Sequence, residues 1–300
     1  MRDHIRRFRR PARLALVLAL ALALSGYTSI EALFAPKAEL WPRWQAHDPA
    51  ATQRVDHAAW TRFLSHYVSA DADGINRVAY ARVDAEERQV LETYIATLAA
   101  IPVSALSRPE QFAFWLNLYN ALTVRLVLQH PEIGSLRDLD ISPGFLAKGP
   151  WGKKLVEVEA TPVSLNDIEH RILRPIWRDP RIHYAVNYAA LGCPNLQHQA
   201  FTVENVEAML EAAARDYVNH RRGVAVVDGE LTVSSIYVWY QDDFGGNDAG
   251  VIAHLKAYAE PGLAAELARI ERIARHAYDW SLNEAIKAAA LPLPQRLAER

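Results

Sequence analysis

The chain contains a single cysteine, Cys193, which stands between Gly192 and Pro194. Glycine before the thiol and proline after it indicate a bend, and a thiol in such an exposed bend can act as a nucleophile. A free cysteine is as often a small buried hydrophobic residue. We expect a reactive thiol if a base lies within hydrogen-bond reach of Cys193, because a dyad of this kind needs direct contact.

Three histidines are candidates for that base: His170, His183 and His198. If residues 183–190 form an extended strand, the ends of that strand lie about 23 Å apart, at about 3.3 Å per residue. His183 then reaches Cys193 only if the chain doubles back near Gly192, and His198 would have to approach across a loop. His170 lies on a separate element without this limit, so the sequence ranks it first and His183 second.

Further polar residues could orient the base or bind a ligand. Asp279, in the segment Tyr278-Asp279-Trp280, is the candidate third member of a triad, or else a buried carboxylate that anchors the C-terminal segment. Glu169 adjoins His170, and Asp167 shares a helical face with it. The remaining binding candidates are amide side chains that would otherwise tie neighbouring backbone together: Asn117, Asn120 and Asn187.

The sequence predicts no cofactor. It has no Gly-rich phosphate loop, no dinucleotide fingerprint, no cysteine pair and no His-x-x-x-His spacing. A metal site made of Glu169, His170 and His183 is the weakest of the interpretations. The chain has 33 basic and 35 acidic residues, and it shows no long basic run after the first 25 residues. This distribution argues against nucleic acid as a partner.

The N-terminus is typical of an export signal. Five arginines between positions 6 and 13 flank an apolar run, 14–24, which is followed by small residues that permit cleavage after Ser25. The run is about 17 Å long as a helix, which is too short to span a bilayer, whereas extension of the segment to Phe34 makes a marginal span. We therefore expect an exported protein, periplasmic or held by an uncleaved anchor facing the periplasm, with membrane contact only through residues 1–25. A proline-containing linker, 26–55, would follow, and then one globular domain, 56–300.

The helices that would position these residues follow from apolar spacing and capping signals. The pattern predicts helices over 56–70 and 85–99, the second capped by Asp84. A capping box formed by Ser107 and Glu110 would open a helix over 108–129. This helix is apolar on almost every face, which is typical of a buried central helix.

The second half of the chain mixes strands and helices. The hairpin signal Asp228-Gly229 between two apolar runs is the firmest strand prediction. Irregular mixing of the two types predicts an α+β fold, with the central helix against a small, mostly antiparallel sheet. We expect strands at 154–159, 182–190 and 270–280, and helices at 164–173, 202–220, 236–244 and 251–258.

Four ordered motifs resemble the family called domain of unknown function 547, and they lie at residues 114–123, 164–173, 181–194 and 278–283. Members of that family often carry a second cysteine after the asparagine of the third motif, where this chain has Tyr188. The resemblance implies no reaction. A fold-level analogue is the papain-like or transglutaminase-like thiol enzyme. Those enzymes usually carry cysteine at the start of the central helix, whereas the central helix of this chain holds Asn117 and Asn120.

Two hypotheses follow from the sequence. In the first, Cys193 is the nucleophile of a hydrolase or acyl-transfer enzyme for an amide or thioester, with His170 or His183 as base and Asp279 or Asn117 orienting it. In the second, the protein is a non-catalytic module of the cell envelope that binds a small molecule or peptide-like ligand, or serves as a scaffold.

Overall fold

The computed structural model describes residues 35–143 and 149–285, which form two compact units. The larger unit comprises Ala38–His220 and the described part of Asp279–Arg300. The smaller unit comprises Arg221–Tyr278 and the described part of Met1–Lys37. The predicted signal segment, 1–25, lies outside the described residues, so export and the domain extent 56–300 stay predictions.

The larger unit is mostly helical. Its α-helices are α1 (Ala58–Tyr67), α2 (Ala85–Ala99), α3 (Arg108–Gln129), α4 (Arg174–Trp177), α5 (Ile182–Ala185) and α6 (Val206–Val218). A π-helical segment, Asp167–Leu173, leads directly into α4. Two antiparallel ladders complete the unit, β1 (Val68–Ala70) with β2 (Asn76–Val78) and β3 (Val156–Val158) with β4 (Thr161–Val163). Short 3₁₀ turns lie at Pro42–Gln45, Tyr80–Arg82, Val103–Ala105 and Leu136–Asp138.

Helix α3 is the buried centre of the larger unit, as predicted. Nearly every side chain from Glu110 to Leu128 is buried, so no face of the helix is left to solvent. The predicted capping box is wrong in its chemistry. Ser107 is the N-cap residue, but its side chain makes no capping bond, and Glu110 accepts a hydrogen bond from the backbone N–H of Val55 instead.

Helices α1 and α2 pack through aromatic rings and one buried histidine. Asp84 caps α2 as predicted, since its side chain accepts from the N–H of Glu87. Trp60 of α1 stacks on Tyr94 of α2 with ring centroids 6.1 Å apart. His57, just before α1, lies 2.7 Å from the Tyr94 hydroxyl through Nδ1, and its Nε2 is buried with no hydrogen-bond partner among the described residues.

The helix predicted over 164–173 exists, but it is wider and longer than expected. Ser164 and Asp167 form a reciprocal capping pair, in which each side chain accepts from the other residue's backbone N–H. The segment then adopts the π-helical register and continues as α4 to Trp177. Four consecutive residues of the π-helical segment, 167–170, are buried as a result.

The strand predicted over 182–190 is wrong. Residues Ile182–Ala185 form the single turn α5, which Asp179 and Pro180 initiate. Proline has the backbone angle that a first helical turn needs, and the Asp179 carboxylate accepts from the N–H of Arg181. A short buried apolar run fits a helical turn as well as a strand, so periodicity could not separate them. The chain beyond α5 is a loop with one isolated bridge, Ala190 to Leu282.

The predicted helix over 202–220 begins later than expected. Thr202 accepts bonds from the backbone N–H groups of Asn205 and Val206 through its carbonyl, not its side chain. Its own N–H donates to the Asn205 side chain, which closes a turn before α6. Helix α6 ends at Val218, close to the predicted end.

The described part of the smaller unit contains a three-stranded sheet, three α-helices and a 3₁₀ turn. Strands β5 (Val224–Val227) and β6 (Glu230–Ser234) form the predicted hairpin, and β7 (Arg275–Ala277) adds parallel to β6. Asp228 and Gly229 both have positive φ, at 52° and 77°, which a type I′ turn requires. The helices are α7 (Ile236–Trp239), α8 (Asp248–Tyr258) and α9 (Pro261–Leu267), with a 3₁₀ turn at Gln241–Phe244.

Two details of this unit differ from prediction. The helix expected over 236–244 is broken between α7 and the 3₁₀ turn, and α9 was not anticipated.

The mixture of helices with small, mainly antiparallel ladders in both units confirms the predicted α+β class. Within the described ranges, no helix combines the length and hydropathy that crossing a membrane requires.

The buried His57 predicts a pH-dependent stability. Burial lowers the pKa of His57 from 6.5 to about 4, so the unfolded chain takes up the proton first as the pH falls. The contribution is fully present above pH 6.5 and is lost as the pH falls through about 4, and it amounts to about 3 kcal/mol. Urea unfolding at about pH 7 and about pH 4 should show a smaller loss of unfolding free energy in His57→Gln than in the wild type. Equal losses in the two proteins would contradict this assignment.

Candidate active site

The two asparagines of α3 each bond to backbone groups through both the amide nitrogen and the amide oxygen. Asn117 Nδ2 donates to the Phe201 carbonyl at 2.7 Å, and its Oδ1 accepts from the Phe201 N–H at 3.0 Å. Asn120 Nδ2 donates to the Ala185 carbonyl at 2.8 Å, and its Oδ1 accepts from the Asn187 N–H at 3.0 Å. Buried amides paired in this way fix the position of the chain segments that they hold.

Asn187 shapes the loop that carries the thiol. Its Nδ2 donates to the Pro194 carbonyl at 2.8 Å, and its Oδ1 accepts from the Ala189 N–H at 2.8 Å. Ala189 has a φ of 55°, a left-handed conformation that costs about 1–2 kcal/mol for a residue with a Cβ atom. The Asn187 side chain thus stabilises a strained bend and closes the loop onto the residue after Cys193.

Cys193 is buried, with 1% of its surface exposed. The backbone N–H of Tyr188 donates to its Sγ at 3.0 Å, so the chain does double back, as the second-ranked hypothesis required. The Gly192 carbonyl accepts a 2.6 Å bond from the Tyr217 hydroxyl, and the Gly192 N–H donates to the Asp279 carbonyl at 2.8 Å. A backbone donor aimed at sulfur favours the thiolate, whereas burial of the thiol opposes it.

Asp279 touches this loop through its backbone. Its carbonyl accepts from Gly192, while its exposed carboxylate accepts from the N–H of Ser281 at 2.9 Å and closes a turn. The sequence offered a buried anchoring carboxylate as the alternative to a triad member, but the carboxylate is exposed and the backbone carbonyl makes the contact with the loop. A role in orienting a catalytic base stays a prediction.

Glu169 is a buried carboxylate held by two tyrosine hydroxyls. Its side chain is 1% exposed. Tyr119 of α3 donates to Oε2 at 3.0 Å, and Tyr188 donates to Oε1 at 2.6 Å. Bonds to a charged acceptor are the stronger kind of hydrogen bond, and a buried carboxylate needs them to offset the loss of its hydration.

Both candidate histidines lie beside Glu169 and are buried. His183 Nδ1 is 3.7 Å from Glu169 Oε1, and His170 Nδ1 is 3.9 Å from the same oxygen. Neither distance is a hydrogen bond. The two distances do place two imidazole rings around one carboxylate. These are the three residues that the sequence had offered as a metal site.

The two imidazoles have different chemistry because their Nδ1 atoms face different groups. Arg174 Nη1 lies 3.0 Å from His170 Nδ1, and a guanidinium can only donate, so His170 Nδ1 accepts and its proton is on Nε2. The Glu169 carboxylate lies 3.7 Å from His183 Nδ1, beyond hydrogen-bond distance, so this contact does not fix the tautomer of His183. The geometry therefore fixes Nδ1 of His170 as an acceptor, and the choice between His170 and His183 as general base stays a prediction.

Asp167 does not orient His170, contrary to what the shared helical face suggested. Its carboxylate binds Lys154, Ser164 and Arg171. Burial tends to raise the pKa of Asp167, but the bonds from Lys154 and Ser164 outweigh burial and hold that pKa below its usual value. The π-helical register explains the difference, because spacing on an α-helix does not give the facing residues of a wider turn.

Sequence reasoning missed three residues of this site. Tyr119 is a tyrosine inside an apolar helix, and a buried hydroxyl of that kind usually has a partner. Arg174 stands four residues after His170, a spacing at which side chains meet. Tyr188 was noted only as a departure from the family pattern, yet its N–H contacts Cys193 and its hydroxyl contacts Glu169.

Among the described residues, no group of three His, Cys, Asp or Glu side chains is arranged to hold a metal ion. The Arg174 bond explains this for the cluster around Glu169, because it occupies the nitrogen of His170 that lies nearest to the carboxylate. What the cluster offers is a hydrogen-bond donor at His170 Nε2, a second imidazole and a carboxylate, all provided by the chain.

These features define an α+β protein with a buried Glu–His–His–Tyr cluster next to a single thiol. Residues 103–218 match the model of a family described as protein of unknown function, DUF547. The match covers three of the four motifs, 114–123, 164–173 and 181–194, together with α3, the π-helical segment and the Cys193 loop. No curated protein and no solved structure matches the chain.

The bonds of Asn117 predict a structural role. Replacing Asn117 with Ala leaves the buried N–H and carbonyl of Phe201 without these partners, which we expect to cost about 2–5 kcal/mol of unfolding free energy. Chemical denaturation measures the change. Thr97→Ala is the control, because Thr97 is an exposed residue bonded within its own helix and should change stability by less than about 0.5 kcal/mol. A stable Asn117→Ala protein would refute the structural assignment.

Proposed function

We propose that this protein is an exported thiol-dependent hydrolase or acyl-transfer enzyme that acts on an amide or thioester. The observation that supports this proposal is the position of Tyr188. Its backbone N–H donates to the Cys193 sulfur, and its hydroxyl donates to the Glu169 carboxylate beside His170 and His183. One residue therefore connects the nucleophile candidate with the acid–base candidates.

In this proposal the Cys193 thiol gives its proton to His183 and attacks the carbonyl carbon of the substrate as a thiolate. A carbon–sulfur bond to Cys193 forms, the bond from the carbonyl carbon to the leaving nitrogen or sulfur breaks, and the amine or thiol leaves with the proton that His183 returns. Water then attacks the acyl-enzyme as His183 removes its proton, and the products are a carboxylic acid and the free thiol. In acyl transfer an amine replaces the water.

The remaining polar groups have supporting roles. Glu169 orients His183 through Nδ1, in the place first assigned to Asp279 or Asn117. His170, protonated on Nε2, suits hydrogen-bond donation to a developing oxyanion. The substrate is a peptide-like or cell-envelope component, consistent with the export signal predicted at residues 1–25.

A second candidate is the non-catalytic binding or scaffold module. The observation that favours it is that Cys193 is 1% exposed, while Asn117, Asn120 and Asn187 use both ends of their amides on backbone groups. Under this alternative the polar residues maintain the loop and the central helix, and the thiol is a small buried side chain.

The rate of Cys193 alkylation by iodoacetamide against pH distinguishes the two candidates. The chain has one cysteine, so labelling reports on that site alone, and Cys193→Ala is the blank. For a thiol enzyme we expect a midpoint well below the value of about 8.5 for free cysteine. The midpoint should rise in His183→Gln and change less in His170→Gln.

The contrary outcome is also clear. A thiol that alkylates only after unfolding, with the same rate in both histidine variants, would refute the enzyme and favour the binding or scaffold module. If the thiol is activated, a screen of thioesters and activated amides follows, and Cys193→Ala should abolish turnover while it keeps the wild-type unfolding midpoint.

A further inference from the structure

The helix that carries Glu169 and His170 lacks one backbone donor. Pro175 has no N–H, so it cannot bond to the Arg171 carbonyl four residues before it or to the His170 carbonyl five residues before it. The residue before the proline, Arg174, does have an N–H, but this N–H bonds to the Glu169 carbonyl five residues earlier, which is the pairing of a π-helix. The carbonyls of His170 and Arg171 therefore need donors from elsewhere.

A short segment before the first helix supplies those donors. We call residues 39–44 the strap. The Glu39 N–H donates to the His170 carbonyl at 2.9 Å, and the Trp41 N–H donates to the Arg171 carbonyl at 3.0 Å. The spacing of two residues fits an extended chain that presents alternate N–H groups to one side.

Two tryptophans hold the strap in place. The Trp41 ring lies 4.5 Å from the Arg171 guanidinium carbon and 5.8 Å from Lys154 Nζ, and both cations also bind Asp167. Trp44 is buried and packs edge-on against Trp115 of α3 at 5.1 Å. The strap thus joins the central helix to the π-helical segment through cation–π and aromatic contacts.

We propose that the strap is a positioning element, in which Glu39 and Trp41 hold the π-helical turn so that Glu169 and His170 keep their buried arrangement. Without the strap, the freed His170 carbonyl can take the Arg174 N–H four residues later, which is the α-helical pairing, in place of the Glu169 carbonyl. That change of register would shift Arg174 relative to His170 and disturb the bond that sets the His170 tautomer. Trp41 acts through His170 and is a positioning residue.

This inference rests on the proposed function, because that function gives Glu169 and His170 their catalytic roles. Its test needs neither a substrate nor the Cys193 thiol. Glu39→Pro removes the N–H that bonds to His170, and Glu39→Ala keeps it. The Glu39 side chain is exposed, so the pair differs mainly in the backbone donor. Imidazole ¹⁵N NMR reads the tautomer of His170, and amide hydrogen exchange reads the Arg174 N–H.

In the wild type and in Glu39→Ala we expect His170 with an unprotonated Nδ1. In Glu39→Pro we expect a mixture of tautomers and at least tenfold faster exchange of the Arg174 amide, with the cooperative unfolding transition retained. Identical tautomer and exchange in the two variants would overturn the proposal, since the strap would then be packing alone.

Trp41 gives a second pair of variants, which keeps the test decisive if Glu39→Pro fails to fold. Trp41→Ala should reproduce the tautomer mixture, and Trp41→Phe should restore the wild-type spectrum because it keeps an aromatic face for Arg171. A Trp41→Ala protein with the wild-type spectrum, or a Trp41→Phe protein that keeps the tautomer mixture, would overturn the role of Trp41. An altered His170 together with an inert Cys193 would refute the enzyme and leave the strap proposal standing.

Discussion

The burial of the Glu169 carboxylate is the constraint on which the rest of the site depends. A charge removed from water costs several kcal/mol unless hydrogen bonds replace the lost hydration. The two donors come from distant parts of the chain, Tyr119 on α3 and Tyr188 on the loop after α5. The carboxylate can be buried only when the central helix, the π-helical segment and the loop are all in place, so the site and the fold of the larger unit form together.

The loop would not stay in place without its asparagine contacts. It has no ladder of its own beyond the bridge at Ala190, and it contains the left-handed Ala189. The Asn120 side chain accepts from the N–H of Asn187 at the start of the loop, and the Asn187 side chain accepts from the N–H of Ala189 in the bend. Asn283 Nδ2 donates to Asn187 Oδ1 at 3.4 Å. Amides suit this task because each presents a donor and an acceptor, which match the two groups that a peptide offers. Their position near the thiol therefore follows from what they support.

The sequence predicted those parts of the fold whose signals are local. Asp84 identified the start of α2, the all-apolar run identified α3, and Asp228-Gly229 identified the hairpin, since each depends on a few neighbouring residues. Residues 182–190 were mispredicted as a strand because the run is buried. Without polar residues on one face, the sequence shows neither the period of a strand nor the period of a helix. The π-helical segment could not be predicted, because its register depends on a strap more than 120 residues earlier in the chain. Glu169 and the two histidines were grouped from the sequence only as a metal site, the weakest interpretation, and the tyrosines and Arg174 that contact the cluster were missed.

The asymmetry between the two histidines shows why residue type alone cannot assign a catalytic role. His170 and His183 are both buried, and each has Nδ1 within 3.9 Å of Glu169 Oε1, yet only His170 has its tautomer fixed, by the Arg174 guanidinium. His170 therefore presents a hydrogen-bond donor at Nε2, and the enzyme proposal assigns the proton acceptor to His183. A reaction that passes a proton to a leaving group while it stabilises an oxyanion needs both. A scaffold needs neither, and it would gain more from apolar side chains at these buried positions, since replacing a buried charged cluster with well-packed hydrophobic residues is often neutral or stabilising.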